Sequence, residues 1–355
     1  MGEARATLRG RASVCFFFQV AADLDYLCNN LGLQHFNHGV NPCFRCWGNR
    51  STMPVTDLRG TAMWRTSLVD ILNWFFVEKH ALFKDSGVGL NVFHVALDIL
   101  HILDLRVAQH LAGSALYLFM FDCGLQGPFE EKAGIVWNAL CQAYTKLGTP
   151  AGEQYSEGCF SKMVDKCGKS MKPRVYAQLF SKAAVARHMI PALRLMVRDC
   201  VDWAPDSMSD IESITVFGWL ASSLDNLSKF YDCLFNHGLW LPEAAGAELQ
   251  GYLREVGKHH QALTHYFMTK GRQLFHLTEK AHYLQHVGDD CKHLKLNPRF
   301  LWTYSDEDWM GRIAGIAKAS TRGRGPLRLG VPVFERWRNR MFIAWSRAAR
   351  AARQR

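Results

Sequence analysis

Ala12-Ser-Val-Cys-Phe-Phe-Phe-Gln-Val-Ala-Ala22 runs almost without a polar residue into Asp23-Leu24-Asp25. A short continuous apolar run ending at an acid suits a buried strand whose C-terminal end presents Asp23. Outward from it, Asn29 to Pro54 is rich in Asn, Gly and Pro and reads as loop, with Cys43-Phe-Arg-Cys46 inside it. The apolar spacing is helical from Asp57 to Phe76 and again from Leu90 to Phe121. Residues 129–287 predict helices almost throughout: Ala133–Tyr144, Tyr176–Cys200, Ile211–Phe235 and Ala244–Thr269. No sustained alternation of period two interrupts them. After Asn297-Pro298, Phe300–Tyr304 reads as a short strand, and Ser305-Asp-Glu-Asp308 opens a helix with an N-cap and an early acid. A Gly/Arg loop, Thr321–Pro326, then leads into a basic, aromatic-bearing helix, Val333–Arg353.

Of the 355 residues 48% are hydrophobic and 21% charged, which fits a packed globular chain and excludes a disordered one. The longest apolar stretch, Leu111–Phe121, falls short of the roughly 18–20 residues of a membrane span and reads as a buried helix. Arg5, Arg9 and Arg11 before Val14–Phe18 imitate a signal peptide, but the stretch is short and no cleavage site follows, so secretion is rejected. The eleven cysteines are odd in number and scattered. That pattern points to small core residues in a reducing interior, not to a disulfide framework.

Charge is unevenly divided. The chain carries +10, but from Gly311 to the end twelve Lys and Arg face the single acid Glu335, so residues 1–310 net −1. Eleven of those twelve cations are arginine, among them Arg322, Arg324, Arg328, Arg336, Arg338, Arg340 and Arg347. Arginine forks match phosphate geometry, and a basic tail interleaved with Trp337, Phe342 and Trp345 is the footprint of a nucleic-acid partner. A solubilising tail or a targeting signal is the plainer alternative.

Several residue groups have the makings of chemistry. Asp23/Asp25, Asp98 and Asp306-Glu307-Asp308 stand at predicted strand and helix ends, as the oxygen ligands of a two-metal site do; caps and solvated faces are the alternative. Asp98 and His101 lie three apart on one helix face among leucines, so they either pair in the core or serve a site. Cys43-x-x-Cys46 has metal-ligand spacing, but a closed Zn2+ site needs two more ligands. His35, His38, His80 and His94 are available partners, and a pair of free loop thiols is the alternative. His282 and His286 stand at i and i+4, yet Tyr283 occupies the place where a zinc-protease motif needs Glu, so they read as histidines on a helix surface.

In order, these pieces resemble RNase H-like DDE DNA transposases, especially those of CACTA-type elements. The resemblance rests on Ala22-Asp-Leu-Asp-Tyr-Leu27, Leu31-Gly-Leu33, Asn41-Pro-Cys-Phe-Arg-Cys46, Asp98-x-x-His101, Lys280-Ala-His-Tyr-Leu-Gln-His286 and Tyr304-Ser-Asp-Glu307, and spans residues 12 to 318. It implies that Asp23 is the second metal-binding acid with Asp25 nearby, that Asp98 and His101 are an accessory pair, and that Glu307 is the third carboxylate. Mg2+ or Mn2+ would then serve DNA strand cleavage and transfer in the nucleus, with Zn2+ at Cys43 and Cys46. The family's first acid sits on an earlier strand. Only Glu3 precedes the apolar run here, so the resemblance implies either a truncated or inactive remnant, the favoured expectation, or a triad formed directly by Asp23, Asp98 and Glu307.

The expected fold is therefore α/β and predominantly helical: an RNase H-like core interrupted by a large all-helical insertion, with a basic C-terminal helix. The expected domains are a partial core with its Cys-x-x-Cys knuckle (1–128), the helical insertion (129–287), a return to the core (288–320) and the Arg-rich tail (321–355). DNA is the expected partner, without a membrane, and a homo-oligomer is left open. The competing readings are a non-catalytic nucleic-acid-binding module and a helical interaction scaffold.

Overall fold

The apolar run that opens the chain breaks in two. Arg11–Cys15 (β2) pairs antiparallel with Ala4–Leu8 (β1), whereas Val20–Ala22 (β3) pairs in parallel with Val95–Leu97 (β4), in register from Val20↔Val95 to Ala22↔Leu97. The computed structural model describes residues 4–8, 11–15, 20–70, 74, 91–200, 211–304 and 318. It divides into two compact units, Met1–Trp302 and Thr303–Arg355, and the elements named here belong to the first.

A parallel pair needs a long crossover. Here it contains the short helix α1 (Leu24–Asn29) and the loop that carries Cys43 and Cys46. Of the two strands β4 is the buried one, while Ala21 at the centre of β3 faces solvent. Over residues 57–70 the helix expected from Asp57 is not formed; Met63–Thr66 makes one 3-10 turn. Leu58, Trp64 and Val69 bury singly from an irregular backbone, so their spacing imitates a helical stripe without being one. The helix expected from Leu90 starts later, because Val95–Leu97 is taken by the sheet.

Among the described residues no sheet exceeds two strands. The resemblance implies a multi-stranded core, and the described residues do not build it. The protein is predominantly helical, with small open two-stranded sheets.

Leu100–Val107 is a π-helical segment that continues into α2 (Ala108–Asp122). α2 is buried on nearly every side, which explains the unbroken apolar reading of Leu111–Phe121. Around it lie α3 (Phe129–Leu147), α4 (Glu157–Cys167) and α5 (Ala183–Arg198). α3 carries Glu130 and Glu131 in its first turn, where the helix dipole favours acids. Ser156 caps α4 through the amide of Cys159 at 3.3 Å. α5 begins later than its periodicity suggests, since residues 176–182 cross α2: the Leu179 amide donates to the Gln109 carbonyl at 3.1 Å, and Gln109 Nε2 donates to the Ser181 carbonyl at 2.8 Å.

Two long helices follow, α6 (Ile211–Asn236) and α7 (Glu243–Thr269), which pack along one another, and α8 (Glu279–His293) lies on α7. The approach of α7 to α8 is close enough that a Cβ on Gly246 would stand 2.6 Å from the Cys291 carbonyl oxygen. Buried charges are paired: Arg272 grips the Asp122 carboxylate with two bonds of 2.6 and 2.7 Å, and the Tyr231 hydroxyl donates to Asp104. Phe300–Tyr304 is not a strand. Pro298–Phe300 forms a 3-10 turn capped by Asn297, whose side-chain amide also donates to the carbonyls of Leu234, His237 and Gly238. Among the described residues no helix is long and apolar enough to cross a membrane.

Candidate metal centre

The loop after α1 folds on itself at Cys43. The Arg45 amide donates to Cys43 Sγ and the Gly48 amide to Cys46 Sγ, both at 3.3 Å, so each sulfur receives a backbone hydrogen bond two residues on. Gly48 is required here: a Cβ would lie 2.9 Å from Val55 and 3.1 Å from Cys46 Sγ. Beyond the turn the loop pairs with residues 67–69, through Trp47 N to the Ser67 carbonyl at 3.0 Å and Val69 N to the Arg45 carbonyl at 2.9 Å. Both thiols are thereby presented inward.

Facing them is α8. His282 and His286, one turn apart, project from the same helix face. His282 Nε2 stands 3.4 Å from Cys46 Sγ, His286 Nε2 3.5 Å from Cys43 Sγ, and the two Nε2 atoms are 3.1 Å apart. In a tetrahedral centre with metal–sulfur bonds of about 2.3 Å and metal–nitrogen bonds of about 2.0–2.1 Å, the nitrogen–nitrogen edge is about 3.3 Å and the nitrogen–sulfur edges about 3.5 Å. The four donors are therefore at ligand spacing, and Cys43, Cys46, His282 and His286 form a cluster that can hold a metal ion. All four are nearly inaccessible, at 4, 1, 1 and 2% exposure.

The surroundings fix these side chains. Trp64, wholly buried, sets its ring edge-on to His282 at 4.3 Å and to His286 at 5.1 Å, and its indole N–H donates to the Asp57 carbonyl at 2.6 Å. The Tyr283 hydroxyl donates to the Pro42 carbonyl at 3.2 Å and accepts from the Phe44 amide at 3.4 Å. Arg45 ion-pairs with Asp290 on α8 and reaches the Val92 and Val95 carbonyls at the edge of β4. Asp289 lies 3.8 Å from His286 Nδ1, an electrostatic contact, and is held by Gln250 at 2.7 Å. Burial raises the Cys43 thiol, but the hydrogen bond from Cys46 and the two imidazoles outweigh it and hold Cys43 well below the ordinary thiol range. Burial and the neighbouring Cys43 push Cys46 the other way.

The remaining expectations fall differently. The partners expected for the cysteines do other work: His35 and His38 accept backbone amides of their own loop, and His94 closes a capping box with Asn91. His80 lies outside the described residues. His282 and His286 are not surface residues but the missing half of the site.

Asp23 and Asp98 follow the paired strands β3 and β4. The Asp23 carboxylate caps α1 through the Tyr26 amide at 2.6 Å. Asp98 accepts from the Leu100 amide at 3.1 Å and meets His101 Nδ1 at 2.5 Å, the core pairing its burial demands. Burial lowers the nearby Lys280 to about 8, with Arg106 adding to it. Among the described residues the sole cluster of three or more metal-type donors is the Cys/His one, and no carboxylate triad forms. Glu307 and Arg322, Arg324, Arg328, Arg336, Arg338, Arg340 and Arg347 lie outside the described residues. A thiolate–imidazole cluster in place of clustered carboxylates, with no multi-stranded sheet, overturns the reading as an RNase H-like DDE transposase and leaves Mg2+ or Mn2+ without a catalytic site among the described residues.

A signal for the centre existed in the sequence. Cys-x2-Cys and His-x3-His are the two halves of a Cys2His2 ligand set, here parted by more than 230 residues instead of the dozen or so of a compact finger. The ten cysteines whose side chains are described form no disulfide. No protein-family model matches the chain, and neither a curated protein nor a solved structure does.

Proposed function

We propose that this chain is a non-catalytic nucleic-acid-binding module whose fold is closed by a structural Zn2+ held by Cys43, Cys46, His282 and His286. The observation that carries the reading is the closed ligand set: four buried protein donors at tetrahedral spacing leave no position for a water or a substrate. Thiolate pairs favour Zn2+ over the harder Mg2+ and Mn2+. A reducing compartment keeps Cys43 and Cys46 available as ligands.

The ion would pin an irregular loop onto α8, which itself packs on α7, so its work is architectural. Nucleic-acid binding is drawn from charge. The excess of positive charge lies in residues 311–355, most of it in the Arg-rich tail, and arginine forks grip phosphates whatever the base sequence. The nucleus is the compartment this reading implies.

The test uses full-length protein. Metal analysis should return one zinc per chain. Fluorescence anisotropy on a labelled DNA duplex should show affinity falling steeply with salt. A variant with Arg322, Arg324, Arg328, Arg336, Arg338, Arg340 and Arg347 all changed to Gln should bind weakly and with a flatter salt slope, by about 0.9 for each phosphate no longer neutralised. Absence of zinc sinks the structural part of the proposal. A seven-fold variant that binds as wild type sinks the nucleic-acid part.

A further inference from the structure

α3 and α4 are tied together at two points and gape between them. At one, the Trp137 ring lies 5.6 Å from the Phe160 ring. At the other, two turns back along α3 (about 10 Å), Glu130 pairs at 2.8 Å with Lys169, just past the end of α4. The space left between the ties is a cavity of about 250 Å3. Gly134 and Trp137 line it from one face of α3, and Phe160, Val164 and Asp165 from one face of α4. A Cβ on Gly134 would meet nothing within 4 Å. Glycine inside a helix is unfavourable, and no close approach requires it at this position; its effect is to keep the cavity open.

Rings and charge point to the same kind of guest. Phe160 is buried and Trp137 half-buried, so a group entering the cavity meets aromatic carbon and the Val164 side chain. Three acids line the cavity, Glu130, Glu157 and Asp165, against the single base Lys169, so the lining carries two negative charges in excess. Lys169 already shows what the cavity attracts: its ammonium stands 5.4 Å over the Phe129 ring, at the end where it pairs with Glu130. At the other end, among the described residues, no cation of the chain stands over Trp137 or Phe160.

We propose that the cavity between α3 and α4 binds a trimethylated ammonium group, seated against Trp137 and Phe160 and balanced by Glu157 and Asp165. The proposal is independent of the nucleic-acid reading above. A cation over an aromatic face is attracted by the ring quadrupole, most strongly by tryptophan, and recognition of quaternary ammonium groups uses this attraction. Methylation matters because it removes the N–H donors. A bare ammonium would leave water to enter an apolar cavity and lose hydrogen bonds there, whereas a trimethylated one brings an apolar surface and keeps its charge. A neutral apolar guest would fit the rings but leave the two excess carboxylates without a counter-charge.

The test titrates full-length protein with choline and with a peptide carrying one trimethyllysine, followed by saturation-transfer NMR on the methyl protons. Choline should bind about tenfold more tightly than 3,3-dimethylbutan-1-ol, its neutral isostere. Trp137→Ala should weaken choline binding about tenfold, and Trp137→Phe should restore most of it. Gly134→Leu should abolish binding by filling the cavity. That variant raises helix propensity and points into open space, so it keeps the test decisive should Trp137→Ala disturb the fold, which circular dichroism reports. Tighter binding of the peptide than of choline assigns the group to a methylated protein, and equal binding assigns it to a small molecule. Equal affinity for choline and its neutral isostere would overturn the proposal and leave an apolar cavity. Binding of neither cationic probe, or choline binding unchanged by Gly134→Leu, would overturn it outright.

Discussion

Between Pro42 and Val69 the chain forms a single four-residue 3-10 turn, whereas α2 buries thirteen of its fifteen residues in regular helix. Both regions belong to one unit, yet they are held by different forces. α2 is surrounded by apolar side chains, and each fully buried Leu or Phe such as Leu116 or Phe119 contributes about 1.5–3 kcal/mol from burial alone. The loop has little periodic backbone, and its order comes from point attachments: four metal-type donors, the Trp64 ring and the Arg45–Asp290 pair. An element stabilised by burial tolerates the removal of one neighbour. A loop stabilised by convergent attachments does not.

The largest effect expected from that difference is metal loss. Cys46→Ser, or chelation of wild type, should take bound zinc from one per chain to none and remove on the order of 10 kcal/mol of local stability from residues 42–69. Hydrogen exchange followed by mass spectrometry should show those residues opening while α2 and α3 stay protected. Equal opening in α2 would break the comparison, since loop and bundle would then be one cooperative unit.

The same contrast explains what the sequence made legible. α6 and α7 are plain in the apolar spacing of Ile211–Phe235 and Ala244–Thr269, because a long helix repeats its burial pattern many times over. β3 and β4 are three residues each, too short for any period to show, so the strand expected over 12–22 and the helix expected from Leu90 both misplaced them. Cys43 and Cys46 were recognisable as ligands, and His282 and His286 carried ligand spacing, but nothing in the sequence joined the two halves. Their pairing depends on how a loop early in the chain meets a helix near residue 280, and no local pattern encodes that meeting. The transposase-like strings misled for a related reason. A capping Asp23 and a core Asp98–His101 pair are common solutions to local hydrogen bonding, and they carry no information on whether a sheet of many strands surrounds them.

Two core substitutions sharpen the comparison. Trp64→Ala should cost about 3–5 kcal/mol, and it should also weaken zinc retention against a competing chelator, because the indole edge positions both imidazoles. Phe119→Ala, which removes a ring stacked 6.1 Å from Phe217 in the bundle, should cost about the same in a urea melt and leave zinc retention unchanged. Metal loss on Phe119→Ala would mean that the bundle and the metal centre share their stability.

Acid provides a further separation. His110 and His260, on α2 and α7, are buried, and burial depresses them to about 3 and about 4, with His276 facing both and Arg106 facing His110. In the unfolded chain both titrate near 6.5. The folded state refuses protons that the unfolded state accepts, so their contribution is complete above about pH 6.5 and is lost as pH falls toward 4 and then 3. His260→Leu should flatten the fall in stability between pH 6.5 and 5 by about 1.4 kcal/mol per pH unit, read from urea midpoints by circular dichroism on chelator-treated protein, so that proton competition at the ligands does not enter. An unchanged slope would move the acid sensitivity of the bundle elsewhere.

The smallest effect belongs to the loop's exposed ion pair. Arg50 reaches Glu279, in the first turn of α8, at 3.3 Å, and both side chains remain substantially in solvent. It joins the same two elements as the metal ligands do, but in water the Coulomb gain is small and two flexible side chains must be ordered to obtain it. Arg50→Ala should therefore cost less than about 1 kcal/mol, vanish further in salt and leave the zinc content at one per chain. A loss of more than about 2 kcal/mol, or any loss of metal, would show that charge at the rim holds the loop in place before the ligands do. The order of attachment argued from burial would then be reversed, with Arg50 and Glu279 positioning the thiols for the imidazoles instead of merely accompanying them.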